Sequence, residues 1–243
     1  MKLFARMFAT AAALVVLVGL AMPAGAGDIE GTCTPSRNPV ALYGGPITFD
    51  VLRNGGKVGE HRVSFQHQPG GILVVDVDFS LTVTWLGLPV YRYAYEAVEQ
   101  WRAGRLVSLW ARQDDDGDET QVKAVSEDDG MTITGLQGTL RAEAGLFPTN
   151  HWNAGVLSQT QVLNTLSGEV SRVSIRPTQR DIVEAEGRSV PATGYRYTGD
   201  IETSVWYDDL GRWVKMRFTA KDGSVIDYRC TSCGQSAIST QGG

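Results

Sequence analysis

Apolar and polar side chains alternate one by one over long stretches of this chain, and glycine-rich turns separate the stretches. In "LVVDVDFSLTVTW", Leu73, Val75, Val77, Phe79, Leu81, Val83 and Trp85 share one face, while Asp76, Asp78, Ser80, Thr82 and Thr84 share the other. A period of two marks a half-buried strand, because successive side chains point to opposite sides of a sheet. The next segment, "VYRYAYEAVEQW", puts Tyr91, Tyr93, Tyr95 and Trp101 on one side and Arg92, Glu96 and the following Arg102 on the other, which predicts a second long strand. Turn signals recur at 54–56 (NGG), 69–71 (PGG), 103–105 (AGR), 114–118 (DDDGD), 127–130 (EDDG), 167–169 (SGE), 208–211 (DDLG) and 221–223 (KDG). Gly and Asn accept positive φ and Asp braces a tight turn with its own side chain, so each is a hairpin link. No stretch alternates helix and strand as a βαβ protein does. The pattern predicts an all-β protein, a long antiparallel meander over 46–231.

A meander of this length must bury its apolar face. It closes into a barrel, or curves as a half-barrel around a segment that plugs the concave side. One stretch, "FPTNHWNAGVL" at 147–157, does not read as strand. Thr149 or Asn150 supplies a helix N-cap, and Trp152, Val156 and Leu157 follow at helical spacing. Gly155 limits any helix there to two or three turns. This segment is the expected plug.

Composition adds a compartment. Lys2 and Arg6, an apolar run from about Met7 to Leu20, and Ala24, Gly25 and Ala26 form the three-part layout of a secretory signal peptide at 1–26. The apolar run is too short for a stable membrane span. The expected divisions are a signal peptide (1–26), an N-terminal extension (27–45), a single β domain (46–233) and a C-terminal tail (234–243), with the mature chain exported to the periplasm or beyond. Without the leader, the charge balance falls from 22 basic against 27 acidic residues to 20 against 27. An acidic chain repels phosphate backbones, which argues against nucleic acid as a partner.

Three cysteines remain after the leader, and an oxidising compartment favours a disulfide. Cys33 with Cys230 or Cys233 would tie the two ends together, and Cys230 with Cys233 is the alternative pairing. The C-x-x-C pair follows the strand-like "SVIDYR", whereas a thioredoxin-type site needs a helix N-terminus to lower the thiol pKa. A zinc site would need further ligands that the sequence lacks, so no metal and no cofactor are expected. "DDDGDE" has the acidic spacing of a calcium loop, but Glu119 stands where such a loop needs Gly at its sixth position, so a solvated hairpin tip is expected. His151 is the weak catalytic candidate, able to act as acid or base near neutral pH. It has no G-x-S-x-G or H-E-x-x-H context, and His61 and His67 are expected on a separate exposed hairpin. Trp85, Tyr91, Tyr93, Tyr95, Trp101 and Trp110, with His151 and Trp152 of the plug, are the candidate ligand-binding wall.

The segments "ITFDVLRNGGKVGEHRVSF", "PTNHWN" and "VWYDDLGRWVKMRFTAKDGSVIDYRC" resemble an exported bacterial family of unknown function, DUF6134, and are similar to DUF3108. The resemblance implies a periplasmic β-rich fold, like the half-barrels of lipoprotein carriers that cradle an acyl chain, and brings no catalytic residues with it. The leading expectation is noncatalytic binding of a lipid or other apolar ligand in the cell envelope. The alternatives are a hydrolase-like enzyme around His151 with Glu96 or Glu99, and a structural envelope assembly protein.

Overall fold

The computed structural model describes residues 38–234. The expected leader, Cys33, most of the N-terminal extension and nearly all of the C-terminal tail lie outside the described residues. A five-residue helix α1 (Pro39–Tyr43) opens the fold, and a half-chain meander follows: β1 (Ile47–Arg53), β2 (Gly56–Gln68), β3 (Ile72–Trp85), β4 (Leu88–Arg102), β5 (Arg105–Asp115), β6 (Asp118–Glu127), β7 (Gly130–Gly135) and β8 (Gly138–Ala142). The central segment carries β9 (Phe147–Pro148), a 3-10 turn (Ala154–Ser158) and β10 (Gln161–Leu163). The second meander is β11 (Val170–Ala185), β12 (Arg188–Gly199), β13 (Thr203–Asp208), β14 (Trp213–Thr219) and β15 (Val225–Ser232).

All fifteen strands form one sheet in the order β8-β7-β6-β5-β4-β3-β2-β1-β15-β14-β13-β12-β11-β10-β9. Every neighbour is antiparallel except the short β9–β10 pair. The first and last strands meet in the middle of the sheet, with Val51 opposite Tyr228. The sheet curls but is not closed by strand pairing; its free edges, β8 and β9, belong to the middle of the chain. The Leu136 amide bonds the Ser167 carbonyl at 2.9 Å beside that opening. The irregular segment therefore enters where the ladder is interrupted.

Inward positions of the meander build one core: Phe49, Val63, Val75, Val77, Ala97, Ala111, Val122, Ile133 and Val205 are buried. The plug packs onto it, with Trp152 and Val156 almost fully enclosed. Its helical content is smaller than the spacing predicts: one 3-10 turn, capped by Asn153, whose side chain accepts from the Gly155 amide at 3.0 Å. The expected caps are engaged elsewhere. Thr149 Oγ1 meets Thr165 Oγ1 at 3.0 Å, and Asn150 donates to Glu99 at 2.5 Å. Gly155 is held close to the Phe147 ring, where a β-carbon would come within 2.9 Å of ring carbons. Backbone bonds from outside seat the segment: the Tyr43 hydroxyl donates to the Trp152 carbonyl at 2.8 Å and the Tyr207 hydroxyl to the His151 carbonyl at 2.7 Å. Helix α1, unforeseen in the extension, ends in Tyr43, which carries the contact to Trp152. That hydroxyl also accepts from the Trp213 amide.

Candidate functional site

The plug divides the concave interior into a solid half and a hollow half. Trp152 faces the solid one. Its ring lies 5.4 Å from both Trp101 and Phe65, and Trp101 lies 5.3 Å from Phe147. Glu99, fully buried, accepts from Trp101 Nε1 at 2.7 Å, Trp152 Nε1 at 2.9 Å and Asn150 Nδ2 at 2.5 Å. Burial pushes its carboxyl above the usual range, against the opposing pull of these three donors. The alternation in β4 already placed Glu99 on the same face as Tyr95 and Trp101, a signal that would have marked it as inward.

His151 faces the hollow half, a cavity of about 180 Å³ lined chiefly by aromatic and aliphatic side chains. Phe79, Tyr93, Tyr95, Trp213 and Tyr228 form much of its wall. His61 stands among them: it pairs across the sheet with Phe49 and Phe79, and its ring is 5.4 Å from both Trp213 and Tyr228. The expected exposed position for His61 is thus overturned, because its parity along β2 turns it to the concave face. His67, farther along, is exposed and meets Asn38 Oδ1 at 2.9 Å. Burial lowers the pKa of His61 to about 3, helped by the neighbouring His151, and burial lowers that of His151 to about 4. Both imidazoles are neutral at physiological pH. Among the described residues no Lys or Arg lines the cavity, and the one carboxylate there, Glu202, is exposed.

Of the eight residues expected to form the aromatic wall, the structure brings Tyr93, Tyr95 and His151 to the cavity. Trp101 and Trp152 belong to the solid cluster around Glu99. Tyr91 is buried and donates to Asp115 at 2.5 Å. Trp110 is a correction: its inward neighbours are Leu109 and Ala111, and it looks outward between Val98 and Lys123. Trp85 is another, 69% exposed at the β3–β4 turn. The residues that sequence reading missed, His61, Trp213 and Tyr228, come from strands far apart in sequence.

Among the described residues, His151 meets neither Glu96 nor Glu99, the carboxylates expected beside it. Its Nδ1 lies 3.5 Å from the Tyr197 hydroxyl. Glu99 is occupied by its three donors, and Glu96 is exposed on the outer face opposite Asp78 and Arg112. The disulfide joins Cys230 and Cys233, with Cα atoms 6.3 Å apart. This corrects the pairing of either cysteine with Cys33; two sulfurs three residues apart at the end of one strand meet locally. Glu186, Cys230 and Cys233 are the one group of potential metal ligands among the described residues, and the disulfide occupies both sulfurs. The Asp114–Glu119 stretch is a hairpin tip, with the Gly117 amide donating to Asp114. Among the described residues no helix is long and apolar enough to cross a membrane.

A curled, open antiparallel sheet with an internal plug and a half-hollow core defines a β-barrel-like protein. The chain belongs to the domain of unknown function DUF6134, whose sequence profile matches residues 49–231. No curated protein matches it. Among solved structures it is similar to a β-barrel-like protein of the domain of unknown function DUF1849 from Brucella abortus, with a TM-score of 0.54 and 14% identity over 77% of this chain and 95% of that one. At that identity the likeness shows the fold alone.

Proposed function

We propose that this protein is exported and binds, without catalysis, a lipid or other apolar molecule of the cell envelope, holding a ring-sized apolar part of it between the plug and the sheet. The observation that carries this reading is the aromatic-walled cavity of about 180 Å³. An engineered apolar cavity of about 150 Å³ elsewhere accommodates benzene, so the space suits a substituted ring or a short alkyl stretch. The leader pattern supports export. Native mass spectrometry of the protein purified from the cell envelope is expected to show added mass that disappears on denaturation. Met216→Trp, which fills the cavity from its wall, is expected to remove that mass while the fold persists. A bare native mass for the unsubstituted protein, or bound mass undiminished in the variant, would count against binding at this site.

An envelope assembly role is the second reading, and one observation favours it. β3 and β4 run past their last rungs with β2 (Gly59 opposite Leu81) and β5 (Tyr93 opposite Asp115), leaving a two-stranded arm. Its tip exposes Trp85, Leu86, Leu88 and Val90, and Leu86 is 87% exposed. Apolar tips of this kind mark contact surfaces. Leu86 also holds φ of 51° ahead of Gly87 at 78°, a turn that Asn-Gly makes with less strain. Leu86→Asn is therefore expected to raise stability by up to about 1 kcal/mol in urea denaturation while shrinking the patch. If the arm docks a partner, cross-linking in cells will lose a specific adduct in this variant combined with Trp85→Thr; an unchanged pattern removes this reading.

A further inference from the structure

The cavity has unspent hydrogen-bonding capacity, and it is concentrated at two residues. Five buried side-chain atoms among the described residues have no hydrogen-bond partner, and three of them, both ring nitrogens of His61 and Nδ2 of Asn164, belong to residues lining this cavity. His61 is 8% exposed and Asn164 1%. Asn164 is anchored by its other end, where Oδ1 accepts from the Leu166 amide at 3.0 Å, so Nδ2 is not free to swap roles without losing that bond. A buried polar group left unpaired costs about 1–3 kcal/mol, and the aromatic rings around His61 return at most weak N–H···π contacts. A residue kept for packing alone at the centre of an aromatic wall would be Phe or Tyr.

The chemistry of these groups constrains what can satisfy them. A neutral imidazole presents one N–H donor and one bare nitrogen acceptor, and Asn164 Nδ2 presents donors. A carboxylate or phosphate would bring a charge into an apolar space where no Lys or Arg among the described lining residues pairs with it. An ammonium only donates and leaves the Asn164 donor unmatched. A hydroxyl is uncharged and both donates and accepts, so it matches whichever His61 nitrogen faces it and keeps a lone pair for an amide donor. We propose that the ligand is an uncharged apolar molecule carrying a hydroxyl, and that His61 is the residue that recognises that hydroxyl. This rests on the cavity being the binding site, as proposed above, and narrows its occupant to neutral alcohols or phenols rather than fatty acids.

Three matched probes separate the possibilities: p-cresol, p-xylene and p-toluate, titrated into the full chain near neutral pH and followed by tryptophan fluorescence, with the His61 ring nitrogens followed by 15N NMR. A plain apolar cavity prefers p-xylene, the least hydrated of the three. The expected result is p-cresol binding at least about tenfold tighter than p-xylene, with p-toluate weakest, and a His61 15N shift produced by p-cresol alone. His61→Phe is expected to abolish the preference, so that p-xylene binds at least as well as p-cresol. Should that variant not fold, the 15N shift in the unsubstituted protein decides. Equal binding of p-cresol and p-xylene overturns the hydroxyl inference while leaving apolar binding intact. Tightest binding of p-toluate overturns it in favour of an anion site, and a p-cresol preference retained in His61→Phe removes His61 as its reader. Failure of all three to bind removes the binding reading and this one with it.

Discussion

Glu99→Ala is expected to lower the unfolding free energy by about 3–5 kcal/mol, the cost of leaving several buried donors without their shared acceptor. The residue is fully enclosed and joins β4 to the plug through the Asn150 side chain and the Trp152 indole, while holding Trp101 on its own strand. Alanine would strand these three donors without water, each at about 1–3 kcal/mol. Asn150 also accepts from Tyr95 at 3.3 Å, so its release loosens the cavity wall as well. Glu99→Gln should be milder, because an amide oxygen can still accept from both indoles, whereas its NH2 would face the Asn150 NH2. Urea denaturation followed by tryptophan fluorescence measures both variants. An alanine variant within about 1 kcal/mol of the parent would mean that the plug is held by apolar packing alone.

Acidification should destabilise the protein well before its surface carboxylates titrate. His61 and His151 ordinarily titrate near 6.5, and in the fold they do so at about 3 and about 4. The unfolded chain therefore takes up protons first as pH falls. The stability tied to neutral imidazoles is complete above about 6.5 and is lost on the way down to the folded values. Each histidine can contribute at most about 1.4 kcal/mol per pH unit, so the pair gives a slope of up to about 2.7. Glu99 acts in the opposite sense: its raised carboxyl favours the fold below its ordinary value, and that contribution fades as pH rises through its folded value. It offsets part of the histidine loss inside that window. Asp50 and Glu127, lowered by hydrogen bonds from Lys57 and Arg141 respectively, lose their stabilising effect only below their ordinary values. Between about pH 6.5 and 5 the histidines therefore drive the loss of stability, with Glu99 opposing it. Urea titrations across that span should show a falling midpoint in the parent and a slope reduced by at least about half in His61→Phe. A profile that is the same in the parent and in His61→Phe would show that the His61 imidazole reaches water in the native state.

Much of the architecture was legible along the chain. The long alternations became β3 and β4 almost residue for residue, and the turns at Asn54–Gly55, Ala103–Gly104 and Asp116–Gly117 fall where the Gly and Asp signals stood. The turns at Leu86–Gly87 and Glu186–Gly187 escaped notice because Leu and Glu carry no turn signature, although both hold positive φ. The irregular segment was recognisable as a plug by its composition. Its helical spacing misled, since Trp152 owes its position to contacts with β2, β4 and α1, whereas Val156 lies in the single 3-10 turn.

The candidate site was harder to read for a related reason. Tyr93, Tyr95 and His151 were visible as suspects, yet so were Trp85 and Trp110, and nothing local separates an aromatic residue on a wall from one on an exposed arm. His61 looked like a hairpin histidine until Phe49, Phe79, Trp213 and Tyr228 surrounded it. The sequence by itself determined the strands, the turns, the interrupting segment and the export signal pattern, because alternation, turn stereochemistry and leader composition act over a few neighbouring residues. Tertiary structure decided that β1 joins β15, that Glu99 locks the plug, that Cys230 bonds Cys233, and that the interior stays hollow beside His61, because each of these depends on the curl of the whole sheet and on which distant side chains it brings into contact.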